Sequence, residues 1–71
     1  MTAHIGYVYG VALHDTGKPQ DGIRQLEAVL KLHPDDPQVL QALASYAKEA
    51  GDVQGSMAYT ARLQELSAAG P

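Results

Sequence analysis

The chain reads as an all-α protein: four antiparallel helices forming two stacked helix-turn-helix hairpins. Three observations carry that reading. Apolar residues recur at helical spacing in four separate runs. Gly17 and Gly51 each stand where such a run stops. At the centre, Leu30-Lys31-Leu32-His33-Pro34-Asp35-Asp36-Pro37 ends one apolar run and opens another within a few residues. Connections that short join antiparallel neighbours.

The first run extends from Ala3 to Thr16. Ile5, Tyr9, Ala12 and Leu13 follow helical spacing and mark one apolar face. Gly6 and Gly10 lie beside that face, and each costs about 1 kcal/mol relative to alanine inside a helix. Two such costs in one helix point to a second backbone packed closely against it. Tyr7, Val11 and His14 form another stripe, with His4 one turn earlier. A helix apolar on two sides contacts two things.

Asp15-Thr16-Gly17 closes the run with a left-handed glycine cap. Pro19 then takes a first-turn position, and Asp21 lies near the positive end of the second helix. That helix carries Ile23, Leu26, Val29, Leu30 and Leu32 on its apolar side, against Arg24, Gln25, Glu27 and Lys31. Pro34 lacks an N–H and disfavours helical geometry at His33, so the helix ends near Leu32. Asp36 is placed as the next N-cap and Pro37 as the first helical residue.

The third run, Pro37 to Ala50, buries Val39, Leu40, Leu43, Ala44 and Ala47 and exposes Gln38, Gln41, Ser45, Lys48 and Glu49. Gly51 ends it and Asp52 caps a fourth run reaching about Ser67, with Met57, Tyr59, Leu63 and Leu66 as its apolar residues. Gly55 weakens that pattern, and Ala68-Ala69-Gly70-Pro71 is expected to fray.

With 71 residues the chain makes one domain, near the size at which a single core becomes marginal. Phe, Trp and Cys are absent, so the core is aliphatic with tyrosine, and neither a disulfide nor a thiolate metal site is available. The missing cysteines leave the redox compartment, and with it the location, undetermined. A net charge of −3 with scattered charges argues against nucleic-acid and anionic-membrane partners. No apolar run approaches a transmembrane length, and the N-terminus lacks signal-peptide features.

The halves repeat. Gly17 and Gly51 are 34 residues apart, as are Gly10 and Ala44, Tyr9 and Leu43, Leu32 and Leu66, and Pro37 and Pro71. In the first copy Tyr9-Gly10, Leu13, Gly17, Gly22, Leu26 and Pro34 stand at the signature positions; in the second, Leu40, Leu43-Ala44, Gly51-Asp52 and Ser56 do. A two-helix unit with this period and these residues resembles the tetratricopeptide repeat (TPR) family. The departures are Gly6 at the family's tryptophan place, Thr60 at its aromatic place and Ala68 at its closing proline. Residues 3–36 would be one repeat and 37–71 a second, within one domain spanning 1–71.

The resemblance implies a hairpin stack whose first helices line a concave groove for a peptide or helix of another protein. Carried over by position, the groove would be lined by His4, Tyr7, Val8, Val11 and His14, then Gln38, Gln41, Ala42, Ser45 and Lys48. Members that clamp a C-terminal carboxylate use Lys and Asn at sites that here read Tyr7 and Val11, which disfavours that specialised activity. Tyr7, Val11 and His14 fit either of two roles, as groove anchors or as packing against a neighbouring helix.

Chemistry-bearing patterns fall short. His4, His14 and His33 lack the i, i+4 spacing of helical metal ligands, and read as surface or cap residues. A phosphate loop would need glycine at Ala12 and a hydroxyl at Pro19. Ser45, Ser56 and Ser67 lie outside any nucleophile elbow. The chain is therefore expected to be no enzyme, to need no cofactor or metal, and to act as a protein-binding module within a larger protein or assembly. The alternative is a self-associating homodimer unit joined through an exposed apolar flank, with Leu63 and Leu66 as its expected residues.

Overall fold

The computed structural model describes residues 2–68, and these form four helices: α1 (Thr2–Asp15), α2 (Pro19–Leu32), α3 (Pro37–Glu49) and α4 (Val53–Ala68). The final residues Ala69-Gly70-Pro71, where fraying was expected, lie outside the described set; Ala68 is still helical. None of the described helices is long and apolar enough to cross a membrane.

The stops and starts follow from local chemistry. Gly17 and Gly51 hold φ of 90° and 82°, the left-handed region where a side chain would be strained. Each lets the chain fold back on its helix in the same way. Lys18 N donates to Leu13 O at 2.9 Å, and 34 residues later Asp52 N donates to Ala47 O at 2.8 Å. This is the six-to-one bond of a Schellman cap, made twice. Pro19 and Pro37 each open a helix, where a missing N–H costs nothing.

The Asp36 carboxylate accepts from the Gln38 and Val39 backbone N–H groups at 3.0 and 3.3 Å, a cap that contributes about 1 kcal/mol. Asp52 accepts from Gly55 N at 2.9 Å and starts α4 likewise.

Two hairpins result. Helix α1 packs on α2 and α3 packs on α4, while α2 against α3 joins the hairpins and α1 touches α3 alongside. The molecule is a slab with Cα extents of 38 × 30 × 16 Å. The α1–α2 contact is a glycine seam. A methyl group at Gly22 would sit 2.7 Å from the Gly10 carbonyl oxygen, and one at Gly10 would sit 2.7 Å from Leu26 side-chain carbons. At Gly6 it would collide with Val29. The second backbone implied by two glycines in one helix is therefore α2.

Between the hairpins lies the core: Leu26 and Val29 of α2 cluster with Val39 and Leu43 of α3. Leu40 and Ala47 of α3 are buried as well. No residue of α4 is buried.

Three expectations about apolar faces need correction. Ile5 and Tyr9, expected to mark an inward face, are 69% and 56% exposed, and Ala12 is exposed too; only Leu13 is half-buried. Helix α1 is instead covered along Gly6 and Gly10 by α2, and along Tyr7 and His14 on its α3 side. Leu32 was grouped with the α2 core but points to solvent, because it follows the last turn that faces α3. On α4, Leu63 and Leu66 are half-buried, so the open apolar residues there are Val53 and Met57 rather than the flank the sequence suggested.

Candidate functional site

The first helices of the two hairpins, α1 and α3, touch side by side and share one face of the slab. The groove residues expected from sequence fall into two groups on them. His4 and Val8 of α1, and Gln38, Gln41, Ser45 and Lys48 of α3, are exposed. Tyr7, Val11 and His14 are half-buried, as is Ala42. Tyr7 and Ala42 both pack against the core cluster. The α1 stripe therefore lies between the two roles left open for it: it packs toward α3 while keeping an edge in solvent.

His14 shows this best. Its ring stacks on Tyr46 of α3, with centroids 3.7 Å apart and planes 3° from parallel. Nε2 pairs with the Glu49 carboxylate at 2.6 Å, and Nδ1 with Asp15 at 3.0 Å. The side chain is only 18% exposed. His14 is thus neither a surface nor a cap histidine; it bridges one hairpin to the other. His33, by contrast, is the C-cap residue of α2.

Hydrogen bonds to Asp15 and then Glu49 raise the His14 pKa above the ordinary 6.5, outweighing the opposing effect of burial. The fold therefore prefers the imidazolium. Its contribution to stability is complete below pH 6.5 and is lost as pH rises through the folded-state value. The difference in urea midpoint between the parent and His14→Ala should accordingly be larger at pH 5.5 than at pH 8.5. The part that survives at high pH reports the Tyr46 stack. Equal differences at both pH values would show that the two carboxylates do not act on the ring.

Sequence reasoning missed Tyr46 and Glu49 as partners of His14. Tyr46 was legible in principle, since Val39, Leu43 and Tyr46 fall on one stripe at i, i+4 and i+7. Nothing local signals Glu49, which meets a residue 35 positions away. Burial raises the Tyr46 hydroxyl's pKa, with the nearby Asp15, Tyr7 and Glu49 adding to the shift.

On α4, Arg62 reaches back to Asp35 in the α2–α3 loop at 2.5 Å and to Glu65 at 3.4 Å. These exposed pairs contribute little stability but tie α4 to the loop.

Two depressions lie mainly along α2 and the α2–α3 loop, the first of them reaching Gln38 of α3. A depression of about 600 Å³ follows the loop from Leu32 to Gln38, and one of about 990 Å³ is lined by Ala28, Leu30, Lys31 and Tyr59. Residues of α1 and α3 such as Val8, Gln41 and Ser45 are exposed along two adjacent helices, a surface better matched to an elongated segment than to a small molecule. Among the described residues no group of three His, Asp or Glu side chains is placed to hold a metal ion.

Comparison with known proteins agrees with this geometry. No curated protein and no solved structure matches the chain. The family model described as "Tetratricopeptide repeat" matches residues 3–46, more than half of the sequence, from the start of α1 through most of α3. With paired helices, glycine caps 34 residues apart and that match, the chain belongs to the tetratricopeptide repeat family of protein–protein interaction modules.

Proposed function

We propose that the shelf formed by α1 and α3 receives a helix or extended segment of another protein. The reading takes residues 3–36 and 37–71 as two repeats of one domain, with their first helices side by side. The observation that carries it is the character of the exposed residues on the shared face. Val8 is 50% exposed beside His4 on α1, and Gln38, Gln41 and Ser45 are exposed on α3. Of the ten residues assigned to the shelf, Lys48 is the sole one with a permanent charge.

Such a surface suits a weakly charged ligand. An apolar anchor would settle on Val8 above the half-buried Tyr7 and Val11, and amide or hydroxyl groups would be met by Gln38, Gln41 and Ser45. The largely polar exposed set on α3 fixes orientation, because an apolar group placed there would leave those amides unpaired. No catalytic role follows from this arrangement.

The test is peptide selection by display against the folded protein, followed by affinity measurement on variants. Val8→Asp and Gln41→Lys should each weaken a selected peptide by about tenfold or more, the effect of burying an unpaired charge at an interface. Arg24→Ala, on the exposed side of α2, should leave affinity unchanged. Selected peptides that bind the Val8 and Gln41 variants as tightly as the parent would refute the shelf as the binding site.

A further inference from the structure

We infer that the chain stacks end to end on copies of itself, the Met57 face of α4 in one molecule seating on the Ile5–Tyr9 face of α1 in the next. The internal repeat supplies the argument. Within one molecule, α2 covers α3: Val39 and Leu43 are 0% and 1% exposed beneath Leu26 and Val29. The residues 34 positions earlier are Ile5 and Tyr9, and these are 69% and 56% exposed. Helix α1 presents to solvent what α3 buries.

The helix 34 positions after α2 is α4. There Met57 stands at the place of Ile23, and it is 66% exposed, with Val53 one turn earlier at 63%. Among the described residues, five of the six large apolar side chains that are most exposed lie on α1 and α4; the sixth is Leu32. An α4–α1 joint between molecules would therefore repeat an interface the chain already makes once, and would extend the α1–α3 shelf from copy to copy.

Charge permits the contact. From Ile5 to Leu13, α1 carries no ionisable group but Tyr7 and Tyr9. On α4, Met57, Thr60, Ala61 and Gln64 occupy the positions of Ile23, Leu26, Glu27 and Leu30, and none is charged. The nearby Arg62 is engaged by Asp35 and Glu65. Stacking thus strands no charge.

Thr60 and Gln64 replace Leu26 and Leu30, so the joint is less apolar than the internal one and the association is reversible. Because its two surfaces differ, the contact is head to tail and leaves a free end at every step.

Light scattering and sedimentation over a wide concentration range test this. The parent's mass should climb with concentration past twice the 7.5 kDa of one chain. Ile5→Asp and Met57→Asp change exposed residues, so both should keep the parent's helical circular dichroism and each should remain monomeric. Mixed in equal amounts, they should form dimers and nothing larger, since each retains one working end. A parent that stays at monomer mass throughout overturns the proposal. So does a Met57→Asp variant that associates like the parent, which would indicate a symmetric α1–α1 pair, and so does a mixture that stays monomeric. Shelf binding is read separately through Val8 and Gln41, so either reading can fail alone.

Discussion

Leu43→Ala is expected to remove a large share of the chain's stability, with Leu26→Ala in the same cluster as its equal. Leu43 is 1% exposed and sits in the one cluster that joins the two hairpins, with Leu26, Val29 and Val39. Removing three buried carbons costs their transfer free energy and leaves a cavity, together roughly 2–5 kcal/mol. At roughly 0.05–0.15 kcal/mol per residue, a domain this short has a total stability of the same order. With no disulfide and no buried residue on α4, nothing else holds the hairpins with comparable strength. Urea unfolding followed by circular dichroism checks this. Leu32→Ala, at a residue 73% exposed on α2, should stay within about 0.5 kcal/mol of the parent. Similar losses for Leu43→Ala and Leu32→Ala would mean the cluster is not the joint between the hairpins.

The second large effect runs against helix propensity. Gly22→Ala places the better helix former inside α2 and should gain about 1 kcal/mol on that count. Its new methyl group, however, would stand 2.7 Å from the Gly10 carbonyl oxygen, 3.0 Å from the His14 backbone nitrogen and 3.2 Å from the His14 Cβ. The first two are backbone atoms and cannot rotate away. Relief requires α1 to move off α2, which also pulls His14 from Tyr46 and Glu49. Overpacking of this kind costs about 1–3 kcal/mol, so the net change is destabilising. A thermal melt should show the variant several degrees below the parent, at about 4–8 °C per kcal/mol for a domain of this size. A variant that melts higher would show that the seam is looser than the geometry implies.

The seam also explains an asymmetry between the hairpins. Where the first has Gly10 and Gly22, the second has Ala44 and Ser56, residues that already carry a Cβ. The α3–α4 pair accommodates small side chains at the places where α1 and α2 bring backbone against backbone. Leu40, at the place of Gly6, fills space on that side and is 1% exposed.

Much of this architecture is written locally. Pro34, Asp36 and Pro37 settle where α2 stops and α3 starts, because a missing N–H and a carboxylate near free N–H groups act within a few residues. Gly17 and Gly51 settle the other two turns for an equally local reason, the cost of left-handed φ for any side chain. The apolar sides of α2 and α3 were legible too, since each has one dense stripe, and Leu26, Val29, Val39 and Leu43 all went inward. The 34-residue period, visible in the same glycines, led to the family that the match over residues 3–46 shows.

The faces of the end helices were not legible in that way. Periodicity says which residues share a side of a helix, but not which side a neighbour covers. Helix α1 has apolar residues around most of its circumference, so Ile5 and Tyr9 looked as suited to burial as Tyr7 and Val11. Only the placement of α2 along the glycine seam, with α3 beside it, left Ile5 and Tyr9 in solvent and put His14 against Tyr46 and Glu49. The helices and their ends were readable along the chain, because they depend on groups a few bonds or one turn apart. Which apolar stripe is core, and which polar groups meet across the hairpins, depends on residues in different helices, from Gly10 and Gly22 to His14 and Glu49, so it emerges only once the helices pack.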